Sequence, residues 1–238
     1  MTTWPNDPEM VREEYASERG LEGRRAAYRF AEGPDARELV FEAVEEFAPR
    51  RMLEVGCGPG ELSARVQEEL GADVVALDIS PRMAELARGR GVDARVGDVQ
   101  DLPFADGEFD CAVAAWMLYH VPDVGRALDE LARVLRSGGR LVAVTNHVDH
   151  LQELRDLVGL PRRLATPFSG ENGAELLGRR FSSIEAREVR GTIRFPDRDA
   201  VVAYVEASQT LYAARREVPR LDGPFAVRSH PVIFVAEK

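Results

Sequence analysis

The sequence predicts an α/β domain built on a doubly wound, mostly parallel sheet. Three observations support this prediction. Short apolar runs recur between residues 52 and 145, amphipathic stretches separate them, and glycine or aspartate follows several of the runs. Near-continuous apolar strands that alternate with amphipathic helices are typical of a parallel sheet with helices on both faces. In such a sheet, ligands bind at the carboxyl ends of the strands.

The first half of the sheet is marked by apolar runs at 52–55, 74–77 and 92–96. After the first run, apolar residues recur every four positions, as on one face of a helix: Leu62, Val66 and Leu70. The second helix begins at Ser80 and Pro81, because serine is a favoured N-cap and proline a favoured first helical residue.

The alternation continues through apolar runs at 109–115 and 141–145. A helix between them is marked by Val124, Leu128, Leu131 and Leu135. On either side of this core the pattern is looser. We expect helices within 8–48 and 147–180, long strands over 183–195 and 225–236, and a helix between those strands that includes Val201, Val205 and Leu211. Pro231 suggests an edge position or a bulge for the final strand.

Composition limits the possible partners and location. The chain has 238 residues and a formal net charge of −10, so nucleic acid is a poor candidate partner. The two cysteines, Cys57 and Cys111, lack CxxC spacing and are expected to be free core thiols in a reducing compartment. The polar N-terminus does not resemble a signal peptide, and no apolar run approaches the roughly 18 residues of a membrane span. We expect a cytoplasmic protein that is a monomer or a homodimer.

A glycine loop, Gly56 to Gly60, follows the first strand and raises the question of which ligand it holds. A dinucleotide loop would carry its third glycine where this chain has Glu61, and a triphosphate loop would continue with Lys-Ser or Lys-Thr. Glu54, immediately before the loop, would repel a polyphosphate but suits a ligand with an ammonium group.

Four motifs together resemble a known family. E-V-G-C-G-P-G at 54–60 and A-L-D-I-S-P-R-M at 76–83 are similar to the first two motifs of class I S-adenosylmethionine-dependent methyltransferases. The segments 97–110 and 131–141 resemble the third and fourth motifs. The resemblance covers residues 50–146 and points to small-molecule enzymes, including quinone-type methyltransferases. It implies a Rossmann-like sheet with an antiparallel C-terminal strand and the strand order 3-2-1-4-5-7-6.

The resemblance also implies how the cofactor would bind. The loop amides would receive its carboxylate, Glu54 would face its ammonium, and Asp78 would accept from the ribose hydroxyls. Asp98 would accept from the adenine amino group. Each acid has an alternative role: a solvated strand end for Glu54, a helix cap for Asp78 and a turn residue for Asp98. The predicted cofactor-binding residues are Glu54, Gly56, Cys57, Gly58, Gly60, Asp78, Ile79, Met83, Asp98, Val99, Gln100, Ala115, Trp116 and His120.

Catalytic residues are harder to predict, because methyl transfer from a sulfonium mainly requires alignment and exclusion of water. The family often has two histidines after strand four, and here only His120 matches. His120 could instead pack against the cofactor pocket. His147 is a second candidate base, with a surface loop as its alternative. Metal ligation by His147 and His150 is disfavoured because no further ligands are evident in the sequence, and we expect no metal.

The predicted function is methyl transfer to a small organic acceptor by in-line displacement. The alternatives are a nicotinamide-dependent oxidoreductase and a non-catalytic S-adenosylmethionine-binding module. We expect one domain over 1–238, with N-terminal helices at 1–48 covering part of the active site, a cofactor-binding core at 50–146 and substrate-side elements at 147–238. Aromatic residues are expected to border the acceptor: Tyr15, Tyr28, Phe30, Tyr204 and Tyr212.

Overall fold

The fold is described from a computed structural model, which describes residues 11 and 15 and the ranges 19–162, 165–208 and 217–238. The helices in these ranges are α1 (Arg19–Ala27), α2 (Ala36–Glu45), α3 (Glu61–Leu70), α4 (Pro81–Gly89), α5 (Val124–Val134), α6 (Gln152–Leu157), α7 (Gly173–Leu177) and α8 (Arg198–Ala207). The strands are β1 (Ala31–Glu32), β2 (Arg51–Val55), β3 (Asp73–Asp78), β4 (Asp93–Val96), β5 (Phe109–Ala115), β6 (Leu135–Asn146), β7 (Ser183–Glu188), β8 (Gly191–Phe195), β9 (Phe225–Ser229) and β10 (Pro231–Glu237).

The central sheet has seven strands in the order β4-β3-β2-β5-β6-β10-β7. The pairings from β4 to β6 are all parallel, whereas β10 is antiparallel to both of its neighbours. Numbered along the chain within this sheet, the order is 3-2-1-4-5-7-6, which confirms the predicted topology. The carboxyl ends of β2, β3 and β5 therefore meet at one edge of the sheet.

The two predicted long strands are each broken in two. Residues 183–195 form β7 and β8, and residues 225–237 form β9 and β10 with His230 between them. β7 and β10 join the central sheet, while β8 pairs with both β1 and β9 in a small antiparallel sheet. The expected edge position of Pro231 is wrong, because β10 lies between β6 and β7. Pro231 is accommodated as the first residue of its strand, where proline is tolerated.

Apolar layers cover both faces of the central sheet. Successive side chains of a strand point to opposite faces, so Leu53 and Val55 belong to one layer and Met52 to the other. The first layer packs against α5 through residues that include Leu128 and Leu131. A separate apolar cluster joins the small sheet to α6 and α8. This arrangement places a second, smaller layer of structure beside the central sheet.

The flanking regions match the predictions in part. Residues 19–27 and 36–45 are helical, as expected, and residues 28–35 between them form a 3₁₀ turn, β1 and a loop at Gly33-Pro34. Among the described residues of 147–180, the short helices α6 and α7 are present, so helices occur there as expected but cover a minor part of the segment. Leu211 and Tyr212 lie outside the described residues, as does most of 1–18. Among the described helices, none has the length and apolar character needed to traverse a bilayer.

Candidate active site

A cavity of about 1460 Å³ opens at the carboxyl ends of the central strands. Its walls are formed by the loops after β2, β3, β4 and β5, by the N-terminal segment up to α2, and by residues from the small sheet and α8. Ligand sites of open α/β sheets lie at this edge. Pockets for a single small molecule commonly measure about 300–1,000 Å³, so this cavity has room for more than one.

The glycine loop is held against β3 by its own backbone. The amide of Gly56 donates to the carbonyl of Leu77 at 2.7 Å. Gly56 and Gly58 have φ values of 65° and 54°, in the left-handed region that glycine adopts without strain. A Cβ at position 56 would lie 2.7 Å from the Met117 side chain, whereas one at position 58 would meet nothing within 4 Å. The loop therefore presents an open concave backbone at Gly58.

Asp78 joins the end of β3 to this loop. One carboxylate oxygen accepts from the amide of Gly58 at 2.9 Å, and the other accepts from the amide of Ser80 at 2.8 Å. Burial raises the pKa of Asp78, while these two N–H groups lower it. The helix-cap interpretation is unnecessary, because the Ser80 side chain caps α4 by accepting from the amide of Met83. An ionised carboxylate has about four acceptor positions, so two remain for a ligand that lies in the cavity.

Glu54 is a buried acid at the end of β2. Only 4% of its surface is exposed, which rules out a solvated strand end, and it lines the cavity. The hydroxyl of Ser63 donates to its carboxylate. Burial raises the pKa of Glu54 to about 7, against the effect of the Ser63 hydrogen bonds. A cationic group at this position would stabilise the ionised form.

Asp98 and Gln100 follow β4 and form a closed turn that also lines the cavity. The Gln100 side-chain amide donates to both carboxylate oxygens of Asp98, at 3.1 and 3.0 Å. The carbonyl oxygen of the Gln100 side chain accepts from the amide of Asp123 at 3.0 Å. Asp98 therefore both forms the turn and lines the cavity, because the turn orients its carboxylate.

The segment after β5 forms the next part of the wall. Trp116 has a φ of 54°, unusual for a residue with a side chain, and its amide donates to the carbonyl of Val144 at 2.9 Å. A short 3₁₀ turn over Leu118–His120 then brings His120 to the cavity. Its Nε2 lies 3.4 Å from the Tyr15 hydroxyl of the N-terminal segment.

The cavity collects most of the predicted site residues. The predicted residues on its lining are Glu54, Gly56, Cys57, Gly58, Asp78, Ile79, Asp98, Val99, Gln100, Ala115, Trp116 and His120.

Three predicted residues lie elsewhere. Met83 is fully buried in the core, and Gly60 packs against α4, where a Cβ would lie 2.6 Å from that of Ala87. The ring of His147 lies outside the cavity lining, between Asp149 and Glu171. His147 is therefore badly placed for a general base, because a base must reach the proton that it removes.

The cavity lining is also rich in side chains that carry a proton. It includes His150 from the segment after β6 and the phenols Tyr15, Tyr28, Tyr119 and Tyr204. Burial raises the pKa of Tyr28, and the neighbouring phenols of Tyr204 and Tyr119 raise it further. The Tyr28 phenol is therefore neutral at physiological pH and available as a hydrogen-bond donor.

The aromatic predictions for this lining hold in part. Phe30 packs on Phe195 with ring centroids 6.4 Å apart and is absent from the cavity lining, and Tyr212 is outside the described residues. Tyr119 and His150 also line the cavity, although neither is among the predicted site residues.

Comparisons of the sequence and of the structure both find methyltransferases. Residues 53–143 match the family model described as a methyltransferase domain. Over 112 residues, 44% of this chain, the chain is 38% identical to the methyltransferase GfsG of Streptomyces halstedii, of which the match covers 40%. It is 41% identical over 106 residues to the demethylmenaquinone methyltransferase of Thermus thermophilus, covering 42% of this chain and 48% of that one. The chain thus spans less than half the length of these two relatives.

A solved structure from Thermotoga maritima, described as a SAM-dependent methyltransferase and possible histamine N-methyltransferase, shares the fold. It superposes with a TM-score of 0.62 over 96% of this chain and 99% of that chain, at 21% identity. The region that the family model matches runs from Leu53 in β2 to Ala143 in β6. It contains all of the motifs that carry the resemblance. Residues 53–143 are therefore similar in sequence to a methyltransferase domain, and the chain shares the fold of a SAM-dependent methyltransferase.

Proposed function

We propose that this protein transfers a methyl group from S-adenosylmethionine to a small organic acceptor. The observation that carries the proposal is the continuity of the cavity. Glu54, Asp78 and Asp98 line the same cavity as several phenols and imidazoles, within a single volume of about 1460 Å³. A volume of this size accommodates a cofactor and a second small molecule together.

Gly58 and the acids Glu54, Asp78 and Asp98 fit the chemistry of this cofactor. Gly58 leaves open space where a side chain would stand, so the backbone can approach a ligand closely. Asp78 retains acceptor capacity for the two ribose hydroxyls, and the desolvated Glu54 suits an ammonium group. Asp98, oriented by Gln100, suits an exocyclic amino group. These assignments support binding of an amino-acid-tailed nucleoside rather than a polyphosphate.

When bound, S-adenosylmethionine supplies a methyl group on a positively charged sulfur. The chain would contribute position and shelter: the N-terminal segment and the 147–238 region cover the cavity and reduce access of water. Tyr28 and its neighbouring phenols can donate hydrogen bonds to a polar acceptor and orient it for in-line attack. His120 and His150 border the cavity and could hold an acceptor proton where one must be removed.

The aromatic wall supports a small, partly aromatic acceptor. A relative named demethylmenaquinone methyltransferase is consistent with that class. We propose that the chain acts as one domain over 1–238, in the cytoplasm, as a monomer or homodimer and without a nucleic-acid partner. Its net charge of −10 supports the last of these proposals.

An acceptor screen that measures release of S-adenosylhomocysteine tests the proposed function. Phenols, quinols, amines and carboxylic acids are incubated with the purified chain and S-adenosylmethionine. Turnover with an acceptor, and its loss in a Tyr28→Phe/Tyr204→Phe double variant, would support the proposal. Cofactor binding without turnover across all classes would favour a non-catalytic module.

The pKa of Glu54 makes a separate prediction about cofactor affinity. With a pKa of about 7, the ionised fraction rises roughly tenfold between about pH 5.7 and about pH 7. An ammonium group binds the ionised form better, so binding releases a proton and affinity should rise over this range by up to about tenfold. Calorimetric titration of S-adenosylhomocysteine at the two pH values measures the change.

Two variants make this pH test specific. Glu54→Gln cannot ionise and should lose the pH dependence. Glu61→Gln, an exposed acid at the start of α3 that pairs with Arg25, should keep it. A wild-type affinity that is equal at both pH values would contradict the placement of the ammonium at Glu54.

A further inference from the structure

A cluster of metal-ligating side chains lies outside the cavity lining, where the end of β6 meets the break between β9 and β10. It consists of His147, Asp149 and His230, and one ligand atom from each lies within 4.8 Å of the others. Asp149 Oδ1 is 2.6 Å from His147 Nδ1 and 2.7 Å from His230 Nδ1. The side chain of His230 is only 2% exposed, and that of Asp149 is 17% exposed. Two imidazole nitrogens and a carboxylate oxygen thus converge in a largely buried position.

The outer nitrogen of each ring contacts a second carboxylate. His147 Nε2 lies 3.1 Å from Glu171 Oε1, and His230 Nε2 lies 3.3 Å from Glu188 Oε2. Metal-ligating histidines commonly donate their other N–H to a carboxylate, which fixes the tautomer and directs the free lone pair at the metal. The hydrogen bond between His230 and Glu188 has that arrangement, and a carboxylate also lies beside the outer nitrogen of His147.

The two imidazole rings are stacked, with centroids 4.3 Å apart and planes 24° apart. Both Nδ1 atoms face the same carboxylate oxygen, Asp149 Oδ1.

The second oxygen of Asp149 has a separate partner. Arg228 Nη1 lies 2.7 Å from Asp149 Oδ2, which leaves Oδ1 directed at the histidines. This arrangement holds the carboxylate in a monodentate orientation. A charged residue outside the cluster therefore lies beside each of its three side chains. Glu171 lies beside His147, Glu188 beside His230 and Arg228 beside Asp149.

We propose that His147, Asp149 and His230 form a binding site for a first-row divalent transition metal, with Zn²⁺ as the best match. Two imidazoles and one carboxylate suit zinc better than magnesium or calcium, which take oxygen ligands. With three protein ligands, a water molecule or another ligand would complete the usual four-coordinate shell.

The site joins separate parts of the fold. His147 follows β6, while His230 separates β9 of the small sheet from β10 of the central sheet. The backbone amide of His230 donates to Nδ1 of His150 at 2.9 Å, and His150 lines the cavity. Metal binding therefore fixes the junction of the two sheets and stabilises one wall of the cavity. The proposal does not depend on methyl transfer.

The test uses the purified full chain, stripped with a chelator and then titrated with zinc. We expect about one zinc ion retained per chain by elemental mass spectrometry, and an increase in Tm, because binding to the folded state alone stabilises it. Cobalt as a substitute probe should give the visible absorption of a tetrahedral site. His147→Ala and Asp149→Asn should each lose the metal, whereas Asp156→Asn, an exposed acid on α6, should retain it.

A measurement on the wild-type chain covers the case in which a variant does not fold. Diethyl pyrocarbonate modifies unligated imidazoles, and zinc should slow modification of the partly exposed His147 at least several-fold. Absence of zinc binding by the stripped wild-type chain would overturn the proposal. So would zinc binding that persists in a folded His147→Ala variant, or a modification rate at His147 that zinc leaves unchanged.

Discussion

Replacing Asp78 with alanine is expected to weaken S-adenosylhomocysteine binding by at least about 100-fold. Two hydrogen bonds from ribose hydroxyls to a charged acceptor contribute about 1.5–3 kcal/mol each, and every 1.4 kcal/mol is about tenfold in Kd. The substitution also frees the amides of Gly58 and Ser80, which Asp78 holds at 2.9 and 2.8 Å. A change in the loop geometry would weaken binding further, beyond the loss of the two hydrogen bonds to the ribose. Calorimetric titration of the variant measures the effect.

Two controls separate binding from folding. Asp93→Ala removes an exposed acid of β4 that pairs with Arg95, and should leave the affinity unchanged. Asp78→Asn keeps an acceptor oxygen and the shape of the side chain, and should fall between the alanine variant and wild type. An unaltered affinity in a folded Asp78→Ala protein would refute the ribose assignment.

Replacing Gly60 with alanine is expected to have the largest effect on folding. Gly60 is the N-cap of α3 with a φ of 78°, where an L-residue costs about 1–2 kcal/mol. Its new Cβ would lie 2.6 Å from the Ala87 Cβ and 2.9 Å from the Ala87 Cα, and overpacking costs about 1–3 kcal/mol more. The sum is a large part of a typical free energy of unfolding of about 5–15 kcal/mol.

Gly71 provides a matched control at the other end of the same helix. It is the C-cap of α3 with a φ of 68°, and a Cβ there would meet nothing within 4 Å. Gly71→Ala should therefore cost only the backbone strain, about 1–2 kcal/mol. Urea denaturation of both variants isolates the contact with Ala87 as the difference between them. Equal losses of stability would show that this contact is relieved by movement of α4.

The parallel core was predictable because buried strands are near-continuous apolar runs, and the motifs set their connections. The break at His230 was not predictable in the same way. His230 alone separates the two strands, and the division depends on which sheet each half joins. The interior place of Pro231 has the same cause, since a strand-initial proline and an edge proline look alike in sequence.

The acids of the site were predictable because the carboxyl ends of neighbouring parallel strands meet at one edge. Glu54, Asp78 and Asp98 all reach the cavity for this reason. Met83 and Gly60 belong to the same motifs, but the packing of α4 turns both into the core. Motif membership alone does not distinguish a ligand contact from a packing contact.

The cluster around Asp149 depends on contacts between distant parts of the chain. His230 and Glu188 lie far from His147 in sequence, and only the pairing of β10 with β6 and β7 brings them together. From the sequence, the nearby His150 was the candidate imidazole partner of His147. In the fold, His150 lines the cavity and His230 takes the position beside His147.

Calorimetric titration of the wild-type chain with S-adenosylhomocysteine, S-adenosylmethionine and NAD tests the central claim most directly. We expect both sulfur-containing nucleosides to bind at a single site in the cavity of the glycine loop, and to bind far more tightly than NAD. Each should also lose affinity in the Asp78→Ala variant. Tight binding of NAD with no binding of either sulfur-containing nucleoside would contradict the account.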